Sequence, residues 1–108
     1  MLYITMRSNR IDEIQVVRVL DILHRDKSEK FSSHDFIEVY SAEYEDDYID
    51  WLCEYRGTNK AFQTVHSQIA RYLSKNARDL QIHKIGNYES ETVHGTIGMP
   101  MWFAWGAE

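Results

Sequence analysis

The apolar residues near the start of the chain recur at helical spacing. From about residue 10 to Arg25, one face collects aliphatic side chains at the i, i+3, i+4, i+7 positions, and Val17 widens that face: Val16, Val17, Val19, Leu20 and Leu23. The short apolar stretch Leu2 to Met6 precedes Ser8 and Asn9, and either of these two can cap a helix. The pattern predicts a largely buried first helix.

Two shorter helical segments follow. The charged stretch from Asp26 to Lys30 is typical of a connection, and Ser32 or Ser33 then offers an N-cap. A helix of about His34 to Ala42 is predicted to bury Phe36, Ile37 and Tyr40. The acidic cluster 43–47 interrupts the apolar pattern, which resumes as far as Arg56 at Tyr48, Ile49, Leu52 and Tyr55. This indicates a third helix or a bent continuation of the second.

The next segment, of about Lys60 to Asn76, has the cleanest helical period in the chain. Gly57 provides a stop, and Thr58 or Asn59 provides a new cap, so a tight turn separates two helices. Five apolar residues fall within about 100° of one another: Phe62, Val65, Ile69, Tyr72 and Leu73. The opposite face is polar and contains no carboxylate: Lys60, Gln63, Thr64, Ser67, Gln68, Arg71 and Lys75.

After Asn76 the pattern changes from the helical period toward alternation. Leu80, Ile82 and Ile85 are interleaved with polar residues, which is typical of a half-buried strand. Tyr88 to Gly98 is polar and contains turn glycines, and Met99 to Trp105 returns to apolar and aromatic residues. We expect a second strand there that pairs with the first, and Pro100 indicates that it lies at a sheet edge.

The order of these elements resembles the winged helix-turn-helix family over nearly the whole chain. The segments that carry the resemblance are the turn Gly57-Thr58-Asn59, the helix KAFQTVHSQIARYLSKN, and the hairpin from LQIHKI to MPMWFAW. The resemblance implies one domain over residues 1–108, of a mainly α (α+β) class with a small C-terminal β-hairpin. It also implies a recognition helix at about 60–76 in the DNA major groove and a wing at about 86–98.

The distribution of charge favours the same part of the chain for a nucleic-acid contact. The protein is acidic overall, with a net charge of -5, and the segment from Phe31 to Tyr55 has eight acidic residues and no Lys or Arg. Gly57 to Ile85 has five Lys or Arg against one Asp. We therefore expect a small DNA-binding protein, a transcription regulator or an accessory factor, that contacts double-stranded DNA. The candidate residues are Asn59, Lys60, Gln63, Thr64, Ser67, Gln68, Arg71, Lys75, Arg78 and Lys84.

Two features of the sequence are unfavourable for DNA binding and support an alternative function. The wing carries Glu89 and Glu91 and has no Lys or Arg between Asn87 and Gly95, and the helical half is strongly acidic. The alternative is a winged-helix module for protein interaction that acts through its acidic surface or through its aromatic C-terminal strand. If the aromatic strand is the interaction surface, a partner protein or a second copy would bind to Trp102, Phe103 and Trp105. One of these residues, Trp102 or Phe103, is also expected in the core.

Catalytic and metal-binding motifs are not found in the sequence. Five histidines are scattered without metal-ligand spacing: His24, His34, His66, His83 and His94. Cys53 lies in an aromatic and aliphatic stretch and is expected to be a buried, inert thiol. We expect a protein that is not an enzyme and binds no metal or cofactor. We also expect it in the cytoplasm and off the membrane, because its apolar runs are short and its N-terminus lacks a signal-peptide pattern.

Overall fold

The structure, a computed structural model, describes residues 11–88, 90–91, 97–98 and 100–106. Within these ranges the chain forms an α+β fold of four helices, a three-stranded antiparallel sheet and a separate two-stranded antiparallel pair. The helices are α1 (Glu13–Asp26), α2 (Ser33–Glu43), α3 (Glu45–Cys53) and α4 (Ala61–Lys75), and the strands are β1 (Lys30–Ser32), β2 (Ile82–Asn87), β3 (Ser90–Glu91), β4 (Ile97–Gly98) and β5 (Met101–Trp105). The predicted extended stretch 2–6 and His94 lie outside the described residues.

Helix α1 begins later than the sequence pattern indicated. Its N-cap is Asp12, whose carboxylate accepts a hydrogen bond from the backbone N–H of Ile14 at 2.8 Å. Asp12, rather than the predicted Ser8 or Asn9, is therefore the N-cap of this helix, and residues 8 and 9 lie outside the described residues. Helix α2 begins with a reciprocal capping box, as predicted at Ser32: the Ser32 hydroxyl accepts from the N–H of Asp35, and the Asp35 carboxylate accepts from the N–H of Ser32.

The turn before α4 shows why a glycine stands at position 57. Gly57 has a φ of 89°, in the left-handed region where only glycine is free of a steric penalty. The predicted caps Thr58 and Asn59 are corrected to Lys60, which occupies the N-cap position without a side-chain cap. Thr58 still provides a hydrogen-bond partner at the start of the helix, because its hydroxyl accepts a hydrogen bond from the backbone N–H of Lys60 at 3.0 Å.

The three-stranded sheet has the order β1-β5-β2, with both pairs antiparallel. Phe103 of β5 lies opposite Phe31 on one side and opposite Lys84 on the other. Strand β5 is therefore central, and the prediction of an edge strand is wrong. Pro100 is compatible with this position because it stands just before the strand, where its carbonyl accepts from the N–H of Tyr88. The three-residue strand β1 was not predicted, since it is too short to show an alternating pattern.

The core lies between the helices and the inner face of the sheet, and it contains most of the residues predicted to be buried on α1, α2 and α4; Val17 and Phe62 lie outside it, and Tyr72 is only partly buried against it. Its members, each at most 9% exposed, are Ile11, Val16, Val19, Leu20, Leu23, Phe31, Phe36, Ile37, Tyr40, Tyr48, Trp51, Val65, Ile69, Leu73, Ile82 and Phe103. Each of these helices is thus positioned by one apolar stripe. Among the described residues, no helix combines the length and the apolar character needed to cross a membrane.

Four residues assigned to apolar stripes lie instead on the surface: Val17, Ile49, Phe62 and Ile85. Val17 and Ile49 each follow a buried residue directly, and the helical rotation of about 100° per residue carries them to the outside. Phe62 stands in the first turn of α4, where its ring lies beside His66. Ile85 is the extra residue of a β-bulge between Lys84 and Gly86, which breaks the alternation of β2.

Candidate nucleic-acid interface

Helix α4 presents one row of exposed polar residues to the outside. Gln63, Ser67, Arg71 and Lys75 stand four residues apart, one on each successive turn, and all four are exposed. Val65, Ile69 and Leu73 on the other side are completely buried and fix the rotation of the helix against the core. We call these four residues the outward row. Its chemistry combines an amide, a hydroxyl and two cations, without an acid.

The other predicted residues at the start of α4 lie beside this row. Asn59 and Lys60 are exposed, and Asn59 adopts a left-handed backbone with a φ of 64°, which asparagine tolerates better than most residues. Thr64 is half-buried at the border between the outward row and the core. The turn and the first residues of α4 thus extend the polar surface beyond Gln63.

Gln68 has a different role from the one the sequence suggested. Its side-chain oxygen accepts a hydrogen bond from the indole N–H of Trp51 at 2.9 Å, and its amide nitrogen donates to the Tyr55 hydroxyl at 2.8 Å. Trp51 is buried, so its N–H needs a partner inside the protein. The Gln68 amide therefore joins α4 to α3 and its following turn, and we leave it out of the interface.

A second contact between the same two helices was not predicted from the sequence. The Tyr48 hydroxyl and His66 Nε2 lie 2.6 Å apart, and the two rings are stacked at a centroid distance of 5.9 Å. Burial raises the pKa of Tyr48 to about 12. The phenol therefore keeps its proton at neutral pH, and the Tyr48 and Gln68 contacts together hold α4 in a defined orientation.

A groove opens at the C-terminal end of α4, between the helix and strand β2. It has a volume of about 540 Å³ and is lined by Ser74, Lys75, Ala77, Arg78, Ile82, His83 and Lys84. We call it the basic groove, because three of its seven lining residues are Lys or Arg and none is acidic. Lys75 belongs to both the outward row and the basic groove, so the two surfaces are continuous.

The walls of the basic groove are held by hydrogen bonds around the 76–81 turn. The N–H of Ile82 donates to the carbonyl of Ala77 at 3.0 Å, and Gln81 takes a left-handed φ of 60° to allow this. His83 Nδ1 lies 2.8 Å from the carbonyl oxygen of Gly106. Since a carbonyl can only accept, Nδ1 carries the proton and Nε2 is left as the second polar atom of the ring. His83 was not among the site residues predicted from the sequence.

The acidic residues of the helical half lie mainly on other elements. Glu45, Asp46 and Asp47 form the first turn of α3, where the helix dipole favours carboxylates. Asp47 also accepts a hydrogen bond from the Gln15 side-chain amide at 2.7 Å, which connects α3 to α1. These carboxylates thus have a structural role at the start of α3, and none of them lines the basic groove.

The aromatic residues of β5 make contacts within the protein. Phe103 is completely buried, as was expected of Trp102 or Phe103. The Trp105 indole N–H donates to the carbonyl of Lys27 at 2.7 Å, and the Trp102 indole N–H donates to the carbonyl of Tyr88 at 3.1 Å. Both tryptophans are half-buried. Their polar atoms are thus already satisfied inside the molecule.

Cys53 is exposed, so the prediction of a buried thiol is wrong. It stands at the last position of α3 and points away from the buried side that Tyr48 and Trp51 define. Within the described residues, no three His, Cys, Asp or Glu side chains converge in a way that would hold a metal ion. His24 lies instead against the Trp105 ring, with ring centroids 4.5 Å apart.

Comparison with protein-family models, curated proteins and solved structures gave no match to this chain.

Proposed function

We propose that the protein binds double-stranded DNA as a winged helix-turn-helix protein, a transcription regulator or an accessory factor. Helix α4 would lie in the major groove, and the basic groove would hold backbone phosphates. The observation that carries this proposal is the continuity of the outward row with the basic groove through Lys75. A surface that binds specific DNA needs side chains that hydrogen-bond to base edges next to side chains that contact phosphates. The outward row provides the first kind, and the basic groove provides the second.

The length of the outward row indicates that its two ends contact different parts of the DNA. From Gln63 to Lys75 the row extends roughly 18 Å along the helix axis, at about 1.5 Å per residue. The major groove is only about 12 Å wide, so the whole row cannot contact bases. In helix-turn-helix proteins the first residues of the recognition helix contact base edges. Gln63 and Ser67 are therefore assigned to base edges, and Lys75 with the basic groove to the backbone.

Arg71 stands at the border between these two parts. An exposed arginine one turn before Lys75 reaches either a guanine edge or a phosphate, and both contacts are bidentate in favourable geometry. The neighbouring positions of the outward row carry no acid that would compete for its guanidinium. Arg71 is therefore the residue of the row on which binding should depend most.

The order of elements is compatible with this proposal. A helix, the tight turn at Gly57, a second helix and an antiparallel pair of β2 with β5 follow one another, which is the order that the resemblance implies. Within the proposed wing at about 86–98, the backbone of β3 runs antiparallel to that of β4. The sequence of the segment 86–98 contains Glu89 and Glu91 and no Lys or Arg, and negative charge disfavours contact with phosphates, so we assign the binding to α4 and the basic groove rather than to the wing.

A salt titration of binding to random duplex DNA tests the proposal. Fluorescence anisotropy would be followed between about 50 and 200 mM salt, a range over which phosphate contacts make affinity fall steeply. Lys75→Gln and Arg78→Gln should each weaken binding and lower the slope of log K against log salt by about 1. Lys27→Gln removes the same charge at a site remote in sequence and outside the basic groove, and it should leave the slope unchanged.

Two results would contradict the proposal. One is the absence of DNA binding by the wild type at low salt, which would favour the alternative of a protein-interaction module. The other is an equal effect of Lys27→Gln and Lys75→Gln, because binding would then follow overall charge rather than this surface.

A further inference from the structure

The outer face of α1 exposes aliphatic side chains that no described residue covers. Ile14 is 79% exposed and Val17 is 46% exposed, although both stand on a helix whose inner face is completely buried. With a third aliphatic residue and four polar or charged ones they line an open depression of about 790 Å³ along the helix: Ile14, Val17, Arg18, Asp21, Ile22, His24 and Arg25. Surface aliphatics are normal singly, but a pair on one face beside a depression indicates a contact surface.

Four residues run along the middle of this face. At about 100° per residue, Ile14, Arg18, Asp21 and Arg25 fall within roughly 60° of one another. We call them the outer stripe, and Val17 flanks it. The stripe thus alternates along its length between an apolar residue, a cation, an anion and a second cation.

We propose that the outer stripe of α1 pairs antiparallel with the same stripe of a second copy of this chain. A dimer with two-fold symmetry brings residue i of one copy to residue j of the other, and j to i. With the axis midway between Arg18 and Asp21, each Arg18 faces Asp21 of the second copy. Ile14 then packs on the aliphatic part of the second copy's Arg25. The Arg18–Asp21 ion pair and the Ile14–Arg25 contact each occur twice in the dimer by symmetry.

The charges select this orientation over the parallel one. In a parallel pair, Arg18 would face Arg18 and Asp21 would face Asp21, and like charges opposite one another are destabilising. Only in the antiparallel pair do Arg18 and Asp21 each face a residue of opposite charge. This self-complementarity identifies a second copy, rather than an unrelated protein, as the partner that fits the outer stripe.

An existing contact of Arg18 leaves room for this pairing. Its Nε lies 3.3 Å from a Glu43 carboxylate oxygen, but both side chains are substantially exposed. Such a surface ion pair contributes little to stability, so the guanidinium can turn to the partner at small cost. The 14 residues of α1 span only about 21 Å, so the interface is small and the dimer is expected to be weak. The stripe shares no residue with the proposed DNA surface, so the two proposals stand or fall separately.

The test uses the full chain and two charge-reversed variants, Arg18→Asp and Asp21→Arg. Sedimentation equilibrium over about 10 to 500 µM should show a monomer–dimer equilibrium for the wild type. Each variant alone puts like charges together and should associate at least about tenfold more weakly. An equimolar mixture restores opposite charges in both pairs, so a heterodimer should form at an affinity near that of the wild type.

Circular dichroism of each variant verifies that it is folded, and Ile14→Glu provides a second disruption that introduces no change at Arg18 or Asp21. Arg56→Asp is the matched control for charge reversal, because Arg56 is exposed and lies outside α1; this variant should associate like the wild type. A wild type that stays monomeric over the whole range would overturn the proposal, and the stripe would then be left for another protein or for residues 1–10 of the same chain. Recovery of wild-type association by a single variant alone, or failure of the mixture to associate, would also overturn it.

Discussion

Helices α1 and α4 have inner faces of similar chemistry and outer faces of different chemistry. Each buries a stripe of aliphatic residues with at most a few per cent exposure. On the outside, α4 shows an amide, a hydroxyl and two cations, whereas α1 shows Ile14 beside charges of both signs. The inner stripes position the helices and are interchangeable in chemistry. The outer faces differ in the groups that they expose, and for this reason we propose two different partners, DNA for α4 and a second copy for α1.

The largest effect that would separate inner from outer residues is on stability. Ile69 is completely buried in the middle of α4, and Ile69→Ala should lower the free energy of unfolding by about 2 to 5 kcal/mol through lost contacts and a cavity. Ile14→Ala removes the same atoms from the exposed side of α1 and should change it by no more than about 0.5 kcal/mol. Urea unfolding at low protein concentration, where α1 has no partner, measures both.

Equal effects of these two substitutions would show that the helix faces are assigned incorrectly. A large effect of Ile14→Ala alone would mean that its side chain is covered within the monomer, which would remove the basis for the α1 dimer.

The next comparison is between two glutamines on α4. Gln68→Ala leaves the buried Trp51 N–H and the Tyr55 hydroxyl without their partner, and should cost up to about 3 kcal/mol of stability. Gln63→Ala removes the same group from the outward row and should leave stability within about 0.5 kcal/mol while weakening DNA binding. Thermal unfolding and anisotropy on the same samples separate the two roles. Loss of DNA affinity by a stably folded Gln68→Ala protein would return Gln68 to the interface.

These two glutamines show what the hydrophobic pattern of a sequence can predict and what it cannot. Hydrophobic periodicity predicted the core residues of α1, α2 and α4, because burial of one helix face repeats every three to four residues. It also placed Arg71 and Lys75 on the exposed side of α4. The same pattern cannot separate Gln63 from Gln68, since both are polar and both lie off the apolar stripe. Only the position of Trp51 on another helix decides which amide is used internally.

The sheet and the basic groove depended on contacts between distant parts of the chain. Strand β1 is three residues long and exists because β5 pairs with it, so no local pattern marks it. Because β1 could not be predicted, Pro100 just before β5 led to the prediction of an edge strand, and that prediction is wrong. The basic groove likewise combines residues of α4, the following turn and β2, and His83 enters it through its bond to Gly106 near the end of the described chain.

A smaller effect, on DNA binding alone, contrasts the exposed arginines of the two helices. Arg71→Ala should weaken binding to duplex DNA by about 1 to 3 kcal/mol, with stability nearly unchanged, because the side chain is exposed. Arg18→Ala on α1 is the matched control and should bind DNA like the wild type at protein concentrations below dimer formation. Equal affinities of Arg71→Ala and the wild type would remove the helix-in-groove proposal, whatever the result for Arg18.

The smallest expected effect is the dependence of stability on alkaline pH, and it tests how α4 is held. The pKa of Tyr48 is raised by burial from 10.0 to about 12 in the folded protein. Between these values the unfolded chain releases a proton that the folded chain keeps. Ionisation of Tyr48 should therefore leave the free energy of unfolding unaffected below about pH 10 and lower it as pH rises from about 10 to 12.

Tyr48→Phe should make this fall shallower and should cost about 0.5 to 1.5 kcal/mol at neutral pH, because the hydrogen bond to His66 is lost. Part of the fall should remain, since the pKa of Tyr72 is also raised, by burial first and then by the carboxylates of Glu13 and Asp12 at the start of α1. Tyr72→Phe should then remove a further part of it. Urea unfolding at pH 8 and at pH values above 10 measures the slope of each variant. An unchanged slope in Tyr48→Phe would mean that its phenol is hydrated in the folded protein, and the Tyr48–His66 contact would no longer account for the orientation of α4.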